Sequence, residues 1–377
     1  GRKARYMKLE MKGKSSSGNN QPAICEITFN EEIPKNPAEL SQTGENLPMS
    51  ELIYASSVDG TKPLYANVCY LKDGKAKPLI VVMHGVAAER RSMDKDISDF
   101  AKHGLFAIAP DMRGRGNSAG KFDCGGLGVY DIVDAINEVI AKFPSEIDAG
   151  NINIVGYSGG GGNCFSAFVR FPDLFHVVAP FFGISDYGTW FQLCGDSWNN
   201  EMSKAVGGTP AQVPLQYAAR NSCLGAANNR NSKLHVFWDE SETICPPVMN
   251  ERFLESYRAA GLSNAVAHIS RVTDAVRWIH GGGRIQSPML EKADDLIVNE
   301  IRAPVPDLSL PQKGILTVCG YLVTRQFQVF IEDGQRGVVK IEYDLTGKEP
   351  EIKVKENPDN LQVKISLRTP PGKDQRP

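Results

Sequence analysis

The sequence predicts an α/β fold: a mostly parallel sheet of eight strands with helices on both faces, followed by a small C-terminal all-β, sandwich-like module. Short β-rich runs alternate with helical patterns through the middle of the chain. Two of those runs, Pro78–Met83 and Ile152–Val155, are almost continuously apolar, as strands covered on both faces must be. Beyond Pro304 and Pro306 the composition changes to alternating β sequence punctuated by DGQRG, TGKEP and NPDN turn signals.

In chain order, residues 1–47 read as a polar leader, with the alternating stretch Ala23–Asn30 (AICEITFN) as a candidate extra strand. Residues 48–303 form the expected main domain. Its strands are placed at Glu51–Ser56, Leu64–Tyr70, Pro78–Met83, Phe106–Pro110, Ile152–Tyr157, His176–Phe182, Leu234–Trp238 and Val266–Arg271. The apolar residues of Gly128–Phe143 recur at three- and four-residue steps, which makes a helix with one core face. Val248–Gly261 and Ser287–Arg302 read as further covering helices. Residues 184–231 break the pattern and are rich in Gly, Asn and aromatics, so they are expected as a lid-like insertion between two strands. Residues 304–377 carry about five short strands and form the β module.

The chain has 377 residues, enough for one large core and an accessory module. A net charge of -2 gives no electrostatic reason to expect nucleic acid or an anionic membrane surface as partner. No run approaches the roughly 18 apolar residues of a spanning helix. Eight cysteines are too sparse for a disulfide scaffold, and no CxxC pair suggests zinc. Cys194 and Cys223 lie in loop-like sequence where a pair is conceivable. No N-x-S/T sequon marks a glycosylated secreted protein, and compartment and oligomeric state stay open.

The chemistry is concentrated at Gly156-Tyr157-Ser158-Gly159-Gly160, a G-x-S-x-G match that follows the apolar strand INIV and precedes a helical stretch. In that context the backbone turns so sharply that flanking glycines are needed, and the Ser158 hydroxyl is left exposed. A serine hydroxyl needs a base. Of six histidines, five lie at or within expected strands or helices, and His280 alone falls in a loop after the last strand of the main domain. The chain order of nucleophile, acid and base then puts the acid in the turn after the penultimate strand, KLHVFWDESETICPP. Glu242, further into that turn, is favoured by position; Asp239 is the alternative. An oxyanion hole is expected from the backbone N–H groups of Gly159, which follows the nucleophile, and Val86, in the loop after the third strand. His84 in that loop reads as structural. Tyr157, Trp190, Phe191, Trp198 and Trp278 are candidate walls of a substrate pocket.

These residues together resemble the α/β-hydrolase superfamily over roughly residues 50–303. The likeness is to the prolyl oligopeptidase-like, dienelactone hydrolase and acetyl xylan esterase branches. It rests on VVMHG, APDMRGRGNSAG (Asp111, Arg113, Gly114, Gly116), IVGYSGGG, ETICPP and His280. PDMRGRGNSAGKF is also similar to the cocaine-esterase group. ETICPP resembles a D-x-I-C-P-P stretch of acetyl xylan esterases whose aspartate is the triad acid, and the correspondence falls on Glu242. The chain departs from these relatives in the glutamate at 242, the three glycines after His280, a shorter C-terminal module and the missing N-terminal propeller.

The first functional expectation is a serine hydrolase that cleaves a carboxylic ester through an acyl-enzyme, on a small-molecule or carbohydrate ester, with no metal or organic cofactor. The second is a serine exopeptidase or amidase with the same residues, which needs a site for a charged peptide terminus. The third is a non-catalytic polysaccharide- or polymer-binding protein on a hydrolase scaffold.

Overall fold

Eight strands build one sheet in the order β1-β2-β4-β3-β5-β6-β7-β8. They are β1 (Ser50–Tyr54), β2 (Leu64–Cys69), β3 (Lys77–Met83), β4 (Phe106–Pro110), β5 (Ile147–Tyr157), β6 (Val177–Phe181), β7 (Lys233–Asp239) and β8 (Ala265–Ser270). Only the β1–β2 and β2–β4 pairs are antiparallel; the remaining pairs are parallel. The computed structural model describes residues 46–274, 277–280 and 287–368. The candidate strand Ala23–Asn30 lies outside them. The central strands β4 and β6 are buried at every position, because helices cover the sheet on both sides.

The covering helices are α1 (Asp94–Lys102), α2 (Gly128–Lys142), α3 (Gly159–Arg170), α7 (Val248–Ala259) and α8 (Ser287–Arg302). Arg302 Nη2 donates to the His103 carbonyl at 2.7 Å, which ties the end of α8 to the end of α1. On the other layer Phe165 and Phe168 of α3 pack against Phe253 of α7 with ring centroids 4.5 and 5.9 Å apart. The apolar stripe of α2 buries Val129, Ile132, Ile136 and Val139. It is a core face, as its spacing requires.

The insertion after β6 is more ordered than its composition implies. It holds three short helices, α4 (Tyr187–Leu193), α5 (Asp196–Val206) and α6 (Pro214–Ala218), and a 3-10 turn over Ser222–Asn228. Glycines at 195 and 207 cut it into pieces too short to show a helical stripe in the sequence.

Among the described residues the C-terminal module has six strands: β9 (Lys313–Cys319), β10 (Tyr321–Val323), β11 (Phe327–Ile331), β12 (Val338–Asp344), β13 (Glu351–Glu356) and β14 (Val363–Leu367). They form one antiparallel sheet in the order β13-β12-β9-β10-β11-β14. The extra strand arises because the run GILTVCGYLV is broken at Gly320, whose φ of +75° and closeness to the Gly334 carbonyl admit no side chain. The sheet folds over at this corner, where β9 and β10 pair only through Cys319 and Tyr321. Leu316 and Val318 of one half then share a core with Phe327, Val329 and Ile331 of the other, which gives the sandwich-like character.

The same corner is bonded to the main domain by Arg170, the last residue of α3. Its Nε donates to Cys319 O at 3.0 Å, Nη1 to Gly125 O at 2.7 Å, and Nη2 to Ala219 O at 2.6 Å. Its guanidinium carbon lies 4.6 Å from the centroid of the Tyr321 ring. Asn228 of the insertion exchanges two hydrogen bonds with the main chain of Thr317, at 2.7 and 2.9 Å. Because α3 runs about 18 Å at 1.5 Å per residue, this junction lies at the far end of the helix from Ser158. Arg170→Ala should leave several buried carbonyls unpaired and cost about 3–5 kcal/mol. Chemical denaturation of the folded chain would check this, and a loss under 1 kcal/mol would show that the junction contributes little.

Candidate active site

Ser158 caps α3 at the end of β5 with φ +57° and ψ -116°, a region that a residue with a side chain rarely adopts. Its neighbours explain the glycines around it. A Cβ on Gly156 would lie 2.4 Å from the Gly160 carbonyl oxygen, and one on Gly160 would lie 2.3 Å from the Met83 carbonyl oxygen. The chain can therefore make this turn only with glycine at both places. The Ser158 N–H donates to Phe181 O at 3.0 Å, which fixes the turn against β6. Its Oγ lies 3.8 Å from Cys245 Sγ.

Glu242 and His280 meet. The His280 backbone N–H donates to Glu242 Oε2 at 2.7 Å, and ring Nδ1 lies 3.0 Å from the same oxygen, though not aligned as a hydrogen bond. Glu242 Oε1 accepts from the N–H groups of Ile244 at 2.7 Å and Cys245 at 3.3 Å. Burial alone would raise the pKa of this carboxyl; the His280 contacts outweigh it and hold the group below its ordinary value. His280 Nε2 has no hydrogen-bond partner among the described residues. Cys245 links the parts, since it touches Ser158 Oγ through its sulfur and the Glu242 carboxylate through its N–H.

Asp239, the other candidate acid, is committed elsewhere. Arg277 grips it with Nε and Nη2 at 2.8 and 2.7 Å, and Ser241 and Ser270 add hydroxyl bonds at 2.7 and 2.8 Å. The Arg277 guanidinium holds its carboxyl well below the usual carboxylate range. Asp239 thereby anchors the segment three residues before His280 without reaching the imidazole.

Gly159 and Val86 are neighbours across the site. A Cβ on Gly159 would lie 3.1 Å from the Val86 nitrogen. Neither backbone N–H has an acceptor among the described hydrogen bonds, so two amides lie side by side next to Ser158. The loop that carries Val86 is fixed by His84, which is fully buried. Its Nδ1 donates to Gly85 O at 2.8 Å, and its Nε2 accepts from the Met112 N–H at 3.0 Å. Both ring nitrogens are used by a neutral imidazole, and burial lowers its pKa. Arg90 adds a second tie, donating from its backbone and its guanidinium to Asp111 at 2.7 and 2.5 Å.

A family model described as "Serine aminopeptidase, S33" (Hydrolase_4) matches residues 74–281, more than half of the chain. The chain belongs to this family. It is an α/β-hydrolase and a serine hydrolase. Solved structures with the same fold include the Pyrococcus horikoshii acylaminoacyl peptidase (18% identity, TM-score 0.57), which covers 73% of this chain. A puromycin hydrolase matches at 17% identity and TM-score 0.52 over 71% of this chain. The chain spans 44% and 42% of the lengths of those two proteins. An esterase of Pyrococcus furiosus matches at 14% identity and TM-score 0.52, covering 72% of this chain and 96% of its own. No curated protein sequence gives a match.

The pocket-wall candidates of this serine hydrolase divide. Trp190 is 1% exposed and its indole N–H donates to Ile244 O at 2.6 Å; Trp278 is 7% exposed and stands edge-on to Phe181 and Phe237. These two are core-packed, a correction to their expected place on a pocket wall: the apolar surface around them is closed by other rings. Tyr157 is also buried, against Phe181 and Phe182, whereas Phe191 and Trp198 are half-exposed. A surface groove of roughly 630 Å³ runs from Ala87 to Ser92 and across Gly114–Gly116, beginning beside Val86. Glu89, Arg91 and Arg115 supply its charge. Arg115 is paired with Glu201 of α5 at 2.5 Å, and Glu89 lies 3.7 Å from Arg91.

Two neighbours of the site had no sequence signal of their own. Phe182 has φ +37°, costly for an aromatic residue, and its ring centroid lies 4.2 Å from that of His280. Cys245 was visible only as part of ETICPP. The other histidines are structural. Burial brings His176 and His268 down to about 4, and His268 shares a 3.0 Å contact with His235. Cys194 and Cys223 are free thiols. Among the described residues no cluster of His, Cys, Asp or Glu could hold a metal ion, and no helix is long and apolar enough to cross a membrane.

Proposed function

We propose that Ser158, His280 and Glu242 form the catalytic triad, with the N–H groups of Val86 and Gly159 as the oxyanion hole. The observation that carries this reading is the Glu242–His280 contact, with Oε2 bound to the ring's own backbone N–H and facing Nδ1. That contact leaves Nε2 to face a substrate-bound serine. Ser158 Oγ attacks the acyl carbonyl, and His280 Nε2 takes the hydroxyl proton. The new oxyanion lies between the two amides, which stabilise charge only as it develops. His280 then returns its proton to the leaving group as the carbonyl reforms, leaving an acyl-serine. A water, deprotonated by the same imidazole, attacks the acyl carbonyl; the bond to Ser158 Oγ breaks as His280 gives that oxygen the proton, and the acid leaves. Ser158 and His280 share no hydrogen bond in this structure, as is common before substrate draws the groups together.

On the bond cleaved, we favour an amide with an uncharged, acylated flank, over the ester that the sequence suggested first. Support for an amide comes from the family description, and support for the acylated flank from the relative named as an acylaminoacyl peptidase. An exopeptidase for free amino termini needs an unpaired carboxylate, and Glu89 and Glu201 beside the groove are each near an arginine. The named esterase among the relatives keeps the ester as the second reading. Matched N-acetyl-aminoacyl and free aminoacyl p-nitroanilides, with p-nitrophenyl acetate and butyrate, separate these. The expected result is turnover of the acetylated anilide at least tenfold above the free one. Ester turnover with no anilide hydrolysed would restore the ester reading, and preference for the free amine would establish an aminopeptidase.

A further inference from the structure

Trp190, expected on a pocket wall, spends its only side-chain polar atom on the turn that carries Glu242. The indole Nε1–H donates to Ile244 O at 2.6 Å, while the N–H of that same residue donates to Glu242 Oε1 at 2.7 Å. Ile244 is thus held from both sides, by the carboxylate through its N–H and by the insertion through its C=O. A second bond holds the first turn of α7, where the segment ends: Ser185 Oγ, also in the insertion, donates to Met249 O at 2.6 Å. The donor itself is well anchored. Asp186 caps α4 through the N–H groups of Gly188 and Thr189, and the Trp190 ring is wedged against Tyr187 and Trp198.

We infer that Trp190 is a positioning residue for the triad acid, and that the insertion braces the Glu242 turn. This rests on the triad proposed above. A carboxylate on an eight-residue connection, 240–247, containing two prolines can face the imidazole only if the connection keeps one conformation. The Trp190 bond supplies that constraint from outside the turn, at the peptide next to the carboxylate's own anchor. A wall residue would act on substrate binding; a brace acts on the chemical step after binding.

The test compares Trp190→Phe, which keeps an aromatic filler and removes the N–H, with Ser185→Ala and Glu242→Gln. Active sites are counted by fluorophosphonate titration, and kcat and KM are measured on the best substrate of the panel above. Trp190→Phe should lower kcat about tenfold with KM within twofold. Ser185→Ala, the milder change, should lower kcat two- to fivefold in the same manner. Unchanged kcat in both variants, or a rise in KM at constant kcat in Trp190→Phe, would overturn the inference. If Trp190→Phe fails to fold, Ser185→Ala alone decides. Wild-type kcat in Glu242→Gln would instead remove the triad reading, so the two failures are distinguishable.

Discussion

Exchanging Ser158 for alanine should reduce kcat by about 10⁴–10⁶-fold while the chain stays folded. Alanine at this φ of +57° meets the same backbone restriction as serine, and the hydroxyl's described contact is the 3.8 Å approach to Cys245 Sγ. No packing is lost with it. Any residual turnover then comes from the paired amides of Val86 and Gly159 and from substrate binding. Steady-state kinetics with circular dichroism on the purified variant would check both halves. Activity within tenfold of wild type would mean that Ser158 is not the nucleophile.

The second large effect separates the two carboxylates. Glu242→Gln should lower kcat about 10³–10⁴-fold, since the amide no longer stabilises the imidazolium that forms during attack. Asp239→Asn should behave differently. It weakens the bond pair to Arg277 and the Ser241 and Ser270 contacts, so the segment leading to His280 loosens. The expected result is a clear fall in thermal midpoint, with a kcat loss nearer tenfold. Measuring kcat and the melting midpoint for both variants decides it. If Asp239→Asn loses far more activity than Glu242→Gln at equal folded fraction, the acid assignment is reversed.

Much of the main domain was readable because its signals are strong and local. Runs such as Pro78–Met83 of β3 and the whole of β6 are apolar throughout and cannot be solvent-exposed, and the stripe in Gly128–Phe143 fits no period but a helix's. The elbow was readable for the same reason: strand, glycine-flanked serine and helix stand adjacent in sequence. The short helices of the insertion were not, because pieces of five to eleven residues between glycines carry too few apolar positions to show a period. Trp190 and Trp278 show another limit. Aromatic content marks a residue as buried or binding, but the direction of its ring depends on long-range packing that one sequence does not display. The two acids mark a third: Asp239 and Glu242 stand three residues apart and are told apart by their partners, and Arg277 and His280 reach them from nearly forty residues away.

The most direct test of the triad is a fluorophosphonate probe followed by intact mass and peptide mapping, on wild type, Ser158→Ala and His280→Ala. The account predicts one adduct in the wild type, mapped to the peptide containing Ser158, none in Ser158→Ala, and strongly slowed labelling in His280→Ala. A folded wild type that takes no adduct, or an adduct that persists in Ser158→Ala, would contradict it.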